Sequence, residues 1–130
     1  MFQHVNNVSQ QMYFDLGKAD FYRQVLQDDV LSGTSRIITA ATANSFKEQI
    51  RMEDDIYVTT TVAKVGNKSI TLFQQIIGRN AAGRETVKTE STSVMVAFDF
   101  DRQESVTVPE RWRRNLADRK STRLNSSHRN

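Results

Sequence analysis

Several residues near the start of the chain have the types and spacing of a polar reaction centre. The segment Phe2–Asp15 reads FQHVNNVSQQMYFD. His4 has a side chain that titrates near neutral pH, so it suits a general base as well as a structural hydrogen bond. Asn6 or Asn7 is a candidate helix N-cap, and the unpaired N–H groups of a first helical turn favour negative charge. Asp15 is an acid within that helix, either solvated or catalytic.

A second polar group falls on a predicted hairpin turn. Lys64, Asn67, Lys68 and Ser69 combine mobile positive charge with free turn N–H groups, which suits phosphate binding. An ordinary polar hairpin is the simpler interpretation of the same residues. The basic run Arg111–Arg114 is likewise more typical of a solvated face than of a phosphate clamp. The chain has two histidines and no cysteine, and the sequence predicts no metal site.

One helix is predicted to carry the first polar group. Apolar residues recur at helical spacing from Val8 to Leu26, which predicts a helix from Asn6 to about Gln27. Gly17 lies inside this helix, where glycine costs up to about 1 kcal/mol relative to alanine. Its presence there predicts close packing of the helix, for example against a sheet.

The rest of the chain is predicted to form strands, because β-branched residues dominate it between turn signals. The predicted strands are Thr34–Thr42, Ile56–Val65, Ser69–Gly78 and Glu85–Phe100, with an irregular link at Ser45–Met52 and turns at Gly66–Lys68 and Asn80–Arg84. Pro109, Trp112 and Leu116 indicate a short terminal segment docked on the body.

One long helix followed by an antiparallel meander is typical of the α+β class. A single helix wrapped by a curved antiparallel sheet is the hotdog arrangement. One helix leaves an edge and a face of such a sheet uncovered, so we expect a homodimer or homotetramer.

The C-terminal segment Asp118–Asn130 differs from the rest in composition. It carries four of the 18 cations and one of the 15 anions, so the preceding residues are neutral and a nucleic-acid partner is not expected. With Leu124 as its one apolar residue it is expected to be disordered. Asp118–His128 also matches the translation of a common sequencing adapter, so a hotdog domain at 1–117 and a non-native tail at 118–130 are predicted. The chain has no apolar run long enough for a membrane span and no export signal, which favours the cytoplasm.

The Phe2–Asp15 segment resembles the signature of acyl-CoA thioesterases of the 4-hydroxybenzoyl-CoA thioesterase type, and its QHVNN run resembles plant acyl-ACP thioesterases. Members commonly read D-x-D-x-x-(G/Q)-H-V-N-N-x-x-Y-x-x-Y-(F/L)-(E/D). The matching residues are Gln3, His4, Val5, Asn6, Asn7, Tyr13, Phe14 and Asp15.

The resemblance implies hydrolysis of an acyl-CoA or acyl-ACP thioester without a cofactor. It implies catalytic roles for His4, Asn7 and Asp15, with the Asn7 amide polarising the thioester carbonyl. Asn6 and Tyr13 would contact the substrate, and the hairpin lysines would bind the phosphates of coenzyme A. The alternatives are an inactive or acyl-CoA-binding fragment, and a hotdog dehydratase or hydratase.

Two departures from the family pattern bear on activity. Gln10 stands where many relatives have tyrosine. The family's catalytic aspartate lies four residues before the histidine, which is one position before Met1, and the strand before it has no counterpart here. We therefore expect the chain to be N-terminally truncated and a poor hydrolase, with Asp15 as the best substitute for the missing carboxylate.

Overall fold

A computed structural model describes residues 7–27 and 35–125, which form an antiparallel sheet with a helix packed on one face. The elements are α1 (Asn7–Phe21), a π-helical turn that continues it (Tyr22–Leu26), β1 (Ser35–Phe46), β2 (Asp55–Val65), β3 (Ser69–Arg79), β4 (Glu85–Asp99), β5 (Glu104–Ser105), α2 (Glu110–Asp118) and β6 (Ser121–Asn125). The architecture is α+β, as predicted.

The strands follow the order β1-β4-β3-β2-β6, and the short β5 pairs with β4. Alternate residues of β3 are buried, from Ile70 to Gly78, because successive side chains of a strand point to opposite faces. The buried face supports α1. The other face is partly exposed and carries apolar side chains, among them Phe73 and Val94.

Helix α1 crosses the buried face from one end of the sheet to the other. Its early part packs through Phe14 on Ile56 and Ile76, near the β3–β4 turn. Its later part, with Phe21 and Leu26, packs in the cluster that contains Ile70 near the β2–β3 hairpin. The start of α1 and the hairpin therefore lie at opposite ends of the sheet.

The close packing predicted for Gly17 is confirmed. A Cβ atom at this position would lie 2.9 Å from Val58 Cγ1 and 3.0 Å from Gln74 Nε2. Gln74 is fully buried, and its Nε2 donates to the Phe14 carbonyl oxygen at 2.9 Å and to Thr60 Oγ1 at 3.0 Å. A side chain at position 17 would push α1 off this polar contact with the sheet.

The predicted helix is confirmed over Asn7–Phe21, and its last turn is a π-helix that ends at Gln27 in the left-handed region (φ 55°). The predicted capping side chain of Asn6 lies outside the described residues. The docked terminal segment is also confirmed, because Trp112 and Leu116 of α2 are buried.

Strand β1 is longer than predicted. It extends to Phe46, which pairs with Thr89, because the 15-residue β4 offers a partner along its whole length. The predicted irregular link is therefore wrong at Ser45 and Phe46. The register shifts between Thr39 and Ala41, which marks a bulge.

The prediction of a disordered tail is wrong for residues 118–125. Asp118 ends α2, and Ser121–Asn125 forms β6, which pairs antiparallel with β2 from Thr61 to Tyr57. The Val62 N–H donates to the Lys120 carbonyl oxygen at 2.8 Å, and the Arg123 guanidinium lies 3.7 Å from the Tyr57 ring centroid. Backbone pairing needs few apolar side chains, and α2 delivers this segment to the edge of β2. The domain boundary and the non-native origin of the tail stay predictions.

Strand β1 is the opposite edge of the sheet and pairs with β4 alone among the described strands. Its residues 39–46 are exposed, and the stretch from Ile37 to Phe46 contains no charged residue and no proline. In the described part of the chain, neither helix has the length and apolar content to cross a bilayer.

Candidate functional site

The start of α1 is tied to the sheet through its first described side chain. Gln10 is buried, and its Oε1 accepts a hydrogen bond from Thr89 Oγ1 of β4 at 2.7 Å. Asn7 is the first residue of α1, so its N–H belongs to the first helical turn, where amides lack a helical partner. His4 and Asn6 lie outside the described residues, as does the side chain of Asn7.

Asp15 and Tyr13 lie farther along α1. Asp15 is exposed, and its Oδ1 accepts a hydrogen bond from Gln11 Nε2 at 3.0 Å. Tyr13 is half-buried against the apolar cluster that contains Phe14. Asp15 is eight residues beyond Asn7, which corresponds to about 12 Å along the helix axis. One chain therefore does not bring Asp15 and the helix start together.

Asp15 instead lies at a cleft between α1 and the edge of the sheet formed by β1 and β4. The cleft has a volume of about 280 Å³. It is lined by Asp15, Lys18, Ala19, Tyr22, Ile37, Thr39 and Met95. Its walls are largely apolar. Asp15, Lys18 and Tyr22 contribute polar groups, and they lie on one side of the helix because residues three or four apart are neighbours on a helix surface.

Two polar side chains of this cleft are largely buried, and one of them, Tyr22, has a hydroxyl without a hydrogen-bond partner among the described residues. Lys18 is 6% exposed, and burial lowers the pKa of its ammonium group, while the charge of Asp15 acts in the opposite direction. The Tyr22 hydroxyl is also buried and unpaired, and burial raises its pKa. Sequence reasoning missed both residues, although their i, i+4 spacing on the predicted helix was a usable signal.

The predicted phosphate-binding hairpin lies at the far end of the sheet. Lys64, Asn67 and Lys68 are exposed, and Ser69 is half-buried at the start of β3. The backbone of this turn is held by α2, because Arg113 Nη2 donates to the Gly66 carbonyl oxygen at 2.6 Å and to that of Asn67 at 3.1 Å.

The hairpin and the helix start are therefore distant within one chain. The fourteen residue steps from Asn7 to Phe21 correspond to about 21 Å along the helix axis, and the π-helical turn to Leu26 adds to this distance. A single chain does not join the predicted phosphate site to the predicted carbonyl site.

A charged cluster that the sequence did not predict lies at the helix-start end. Lys88 is buried, and its Nζ lies 2.9 Å from Glu48 Oε1 and 3.5 Å from Asp54 Oδ2. The Lys88 side chain crosses Gly78, where a Cβ atom would lie 2.6 Å from Lys88 Cε. The hydrogen bond from Lys88 holds the pKa of Glu48 below its usual value. Its ion pairs anchor the β1–β2 link to β4, which is a structural role.

This cluster borders an open, polar cleft of about 520 Å³ that also includes Arg51 and Arg84. Within the described ranges, no three His, Cys, Asp or Glu side chains are placed to hold a metal ion.

Comparison with known proteins identifies a family that matches most of the chain. The model of the thioesterase-like superfamily matches residues 1–116, a range that ends within α2 and excludes β6. No curated protein sequence matches the chain significantly.

Solved structures share the fold. A protein of Pseudomonas aeruginosa strain PAO1 has a TM-score of 0.78 at 20% identity, covering 94% of this chain and 83% of its own. A predicted thioesterase from Bacillus stearothermophilus has a TM-score of 0.75 at 22% identity, covering 89% and 83%. A mutant 4-hydroxybenzoyl CoA thioesterase complexed with 4-hydroxybenzoyl CoA has a TM-score of 0.76 at 12% identity, covering 87% and 86%.

Proposed function

Because the chain belongs to the thioesterase-like superfamily of hotdog-type thioester hydrolases, we propose that it hydrolyses acyl-CoA thioesters to a free acid and coenzyme A. The observation that carries the proposal is the family match over residues 1–116. The solved 4-hydroxybenzoyl CoA thioesterase, which shares the fold, is complexed with 4-hydroxybenzoyl CoA. This supports coenzyme A, rather than acyl carrier protein, as the thiol carrier.

In the proposed reaction, water adds through its oxygen to the thioester carbonyl carbon, and the carbon–sulfur bond then breaks. A general base takes a proton from the water, and the leaving thiolate is released as the thiol. The N–H groups in the first turn of α1 would stabilise the negative charge that develops on the carbonyl oxygen. His4 is the first candidate for the base, and Asp15 is the second.

We propose that the active form is a dimer joined at the free edges of β1. From Ile37 to Phe46 this edge has no charged residue and no proline, and it offers unpaired N–H and C=O groups to a second copy. Antiparallel pairing of the two β1 strands would reverse one sheet relative to the other. It would place the hairpin of one copy at the same end of the joined sheet as the helix start of its partner. The phosphates and the thioester of one substrate could then be bound by different copies.

The proposed reaction is tested by following thiol release from a panel of acyl-CoA and acyl-ACP thioesters with a thiol reagent. We expect release above the uncatalysed rate from acyl-CoA. Asn7→Pro should lower kcat about 10²–10³-fold, because it removes one N–H donor from the first turn, where proline is tolerated. Circular dichroism would show that the variant remains helical.

The matched control for the base uses the two histidines of the chain. His4→Ala should lower turnover strongly, and His128→Ala should leave it unchanged, because residue 128 lies beyond the family match. If the folded protein binds a non-hydrolysable acyl-CoA analogue but releases no thiol from any thioester, it is a binding protein and the hydrolase proposal is wrong. Equal loss in both histidine variants would remove His4 from the mechanism.

A further inference from the structure

The cleft beside α1 contains a largely buried lysine that makes no ion pair with a described side chain. Lys18 is 6% exposed and forms no ion pair or hydrogen bond among the described residues. Among the described residues that line the cleft, Asp15 is the only acidic one, and it is exposed with one oxygen accepting a hydrogen bond from Gln11.

Lysine is rarely as buried as Lys18 unless an anion lies near its ammonium group, because loss of water disfavours the charged form. Tyr22 lines the same cleft, and its hydroxyl is a buried donor without an acceptor among the described residues. The two donors lie one helical turn apart, so a ligand group with two acceptor oxygens would suit them. A carboxylate has this chemistry.

The walls of the cleft indicate which part of a substrate would enter it. Ala19, Ile37 and Met95 are apolar, and the volume of about 280 Å³ is that of a small pocket for an acyl group rather than for a nucleotide. The strongly hydrated phosphates of coenzyme A would meet these apolar walls, whereas a hydrocarbon chain that ends in a carboxylate matches walls and donors together.

We propose that this cleft binds the free carboxylate of a dicarboxylic acyl group, with Lys18 as the residue that selects it. This inference rests on the proposed thioesterase function and names its substrate class as half-thioesters of dicarboxylic acids. The Lys18 ammonium pairs with the carboxylate, the Tyr22 hydroxyl donates to its second oxygen, and the apolar walls pack on the methylene groups beside it.

The test compares three acyl-CoA series of equal chain length, ending in a carboxylate, a hydroxyl or a methyl group, each at short, medium and long chain length. For the full chain we expect kcat/KM to be at least about 10-fold higher for the carboxylate than for the methyl end at the best length, which corresponds to about 1.4 kcal/mol. In Lys18→Met this ratio should fall to about one or below. Arg114→Met, which removes an exposed cation of α2, should keep the wild-type ratio.

Calorimetric binding of non-hydrolysable thioether analogues separates this inference from the hydrolase proposal. A carboxylate preference in binding that disappears in Lys18→Met supports the inference even if no thioester is hydrolysed. Equal binding of the three analogues, or a preference for the hydroxyl end, overturns it while leaving hydrolysis intact. A loss of affinity for coenzyme A alone in Lys18→Met also overturns it, because Lys18 would then bind phosphate. Lys18→Met should fold, since it replaces a largely buried lysine with an apolar chain of similar length.

Discussion

At the scale of single residues, Lys18 has a consequence for the dependence of stability on pH. Burial lowers the pKa of Lys18 in the folded state from its ordinary value of 10.5. As the pH rises through the folded pKa toward 10.5, the unfolded chain therefore holds more protons at this residue than the folded chain does. A state that binds fewer protons gains stability as the pH rises.

We therefore expect the free energy of unfolding of the wild type to rise relative to that of Lys18→Met as the pH increases from about 7 to about 10. The measurement is urea denaturation of both proteins across this range. Ionisation of tyrosines in the unfolded state affects both proteins equally, so it cancels in the difference. A difference that stays constant with pH would contradict a lowered pKa of Lys18 in the folded state.

At the scale of elements, the contact of α1 with the sheet depends on the missing side chain of Gly17. Gly17→Ala improves helix propensity by up to about 1 kcal/mol. Its methyl group would lie 2.9 Å from Val58 Cγ1, so we expect a net destabilisation of about 1–3 kcal/mol in chemical denaturation. Val58→Ala removes the contacted atom, so the double variant should lose less than the two single losses combined. Strict additivity would show that the clash is relieved elsewhere.

Strand β6 pairs with β2 at the edge of the sheet opposite β1, although it lies outside the family match. Deletion of residues 119–130 exposes the edge of β2 and removes the buried Thr122. We expect the melting temperature to fall by several degrees, at roughly 2–8 °C per kcal/mol for domains of this size range. Deletion of residues 126–130 alone is the matched control, and the difference between the two deletions measures β6. Equal melting temperatures would mean that the pairing of β6 adds no stability.

The sequence predicted where the helices and strands lie along the chain better than which elements they contact. Helix α1 and strands β2, β3 and β4 follow from apolar periodicity and turn residues such as Gly66 and Gly83. Strand β6 was missed because its sequence, STRLN, has no alternating apolar face. It forms by backbone pairing with the edge of β2, which the sequence of β6 does not reveal. The distance between Asn7 and the hairpin was also not predictable, because periodicity defines a helix but not the direction in which it crosses the sheet. The Lys18 cleft was missed because a lysine on a helix is usually solvated.

At the scale of the whole molecule, the separation of the two predicted half-sites makes association a requirement of the proposed mechanism. Ala43 lies in the exposed part of β1, so Ala43→Lys would place two like charges close together in a symmetric β1 pair. We expect sedimentation at micromolar concentration to give a dimer or tetramer for the wild type and mostly monomer for Ala43→Lys.

The matched control is Ala82→Lys, in the exposed β3–β4 turn, which should keep the wild-type mass. Loss of thiol release together with the loss of the dimer would support a site shared between copies. A fully active monomer would contradict it. A tetramer that Ala43→Lys reduces to a dimer would show a second contact, for which the partly exposed outer face with Phe73 and Val94 is available.

The two edge strands of the sheet differ, because β6 has five residues and carries Arg123, whereas β1 runs without a charged residue from Ile37 to Phe46. Subunits with two open edges can add end to end without limit, and their chains lengthen with concentration, whereas a subunit with one open edge is consumed when it meets a second copy. We expect the short, charged β6 to disfavour pairing at its own edge, which would limit edge-to-edge assembly to a pair joined at β1. Removal of β6 would change the stoichiometry from a fixed number to a distribution that broadens as the protein is concentrated.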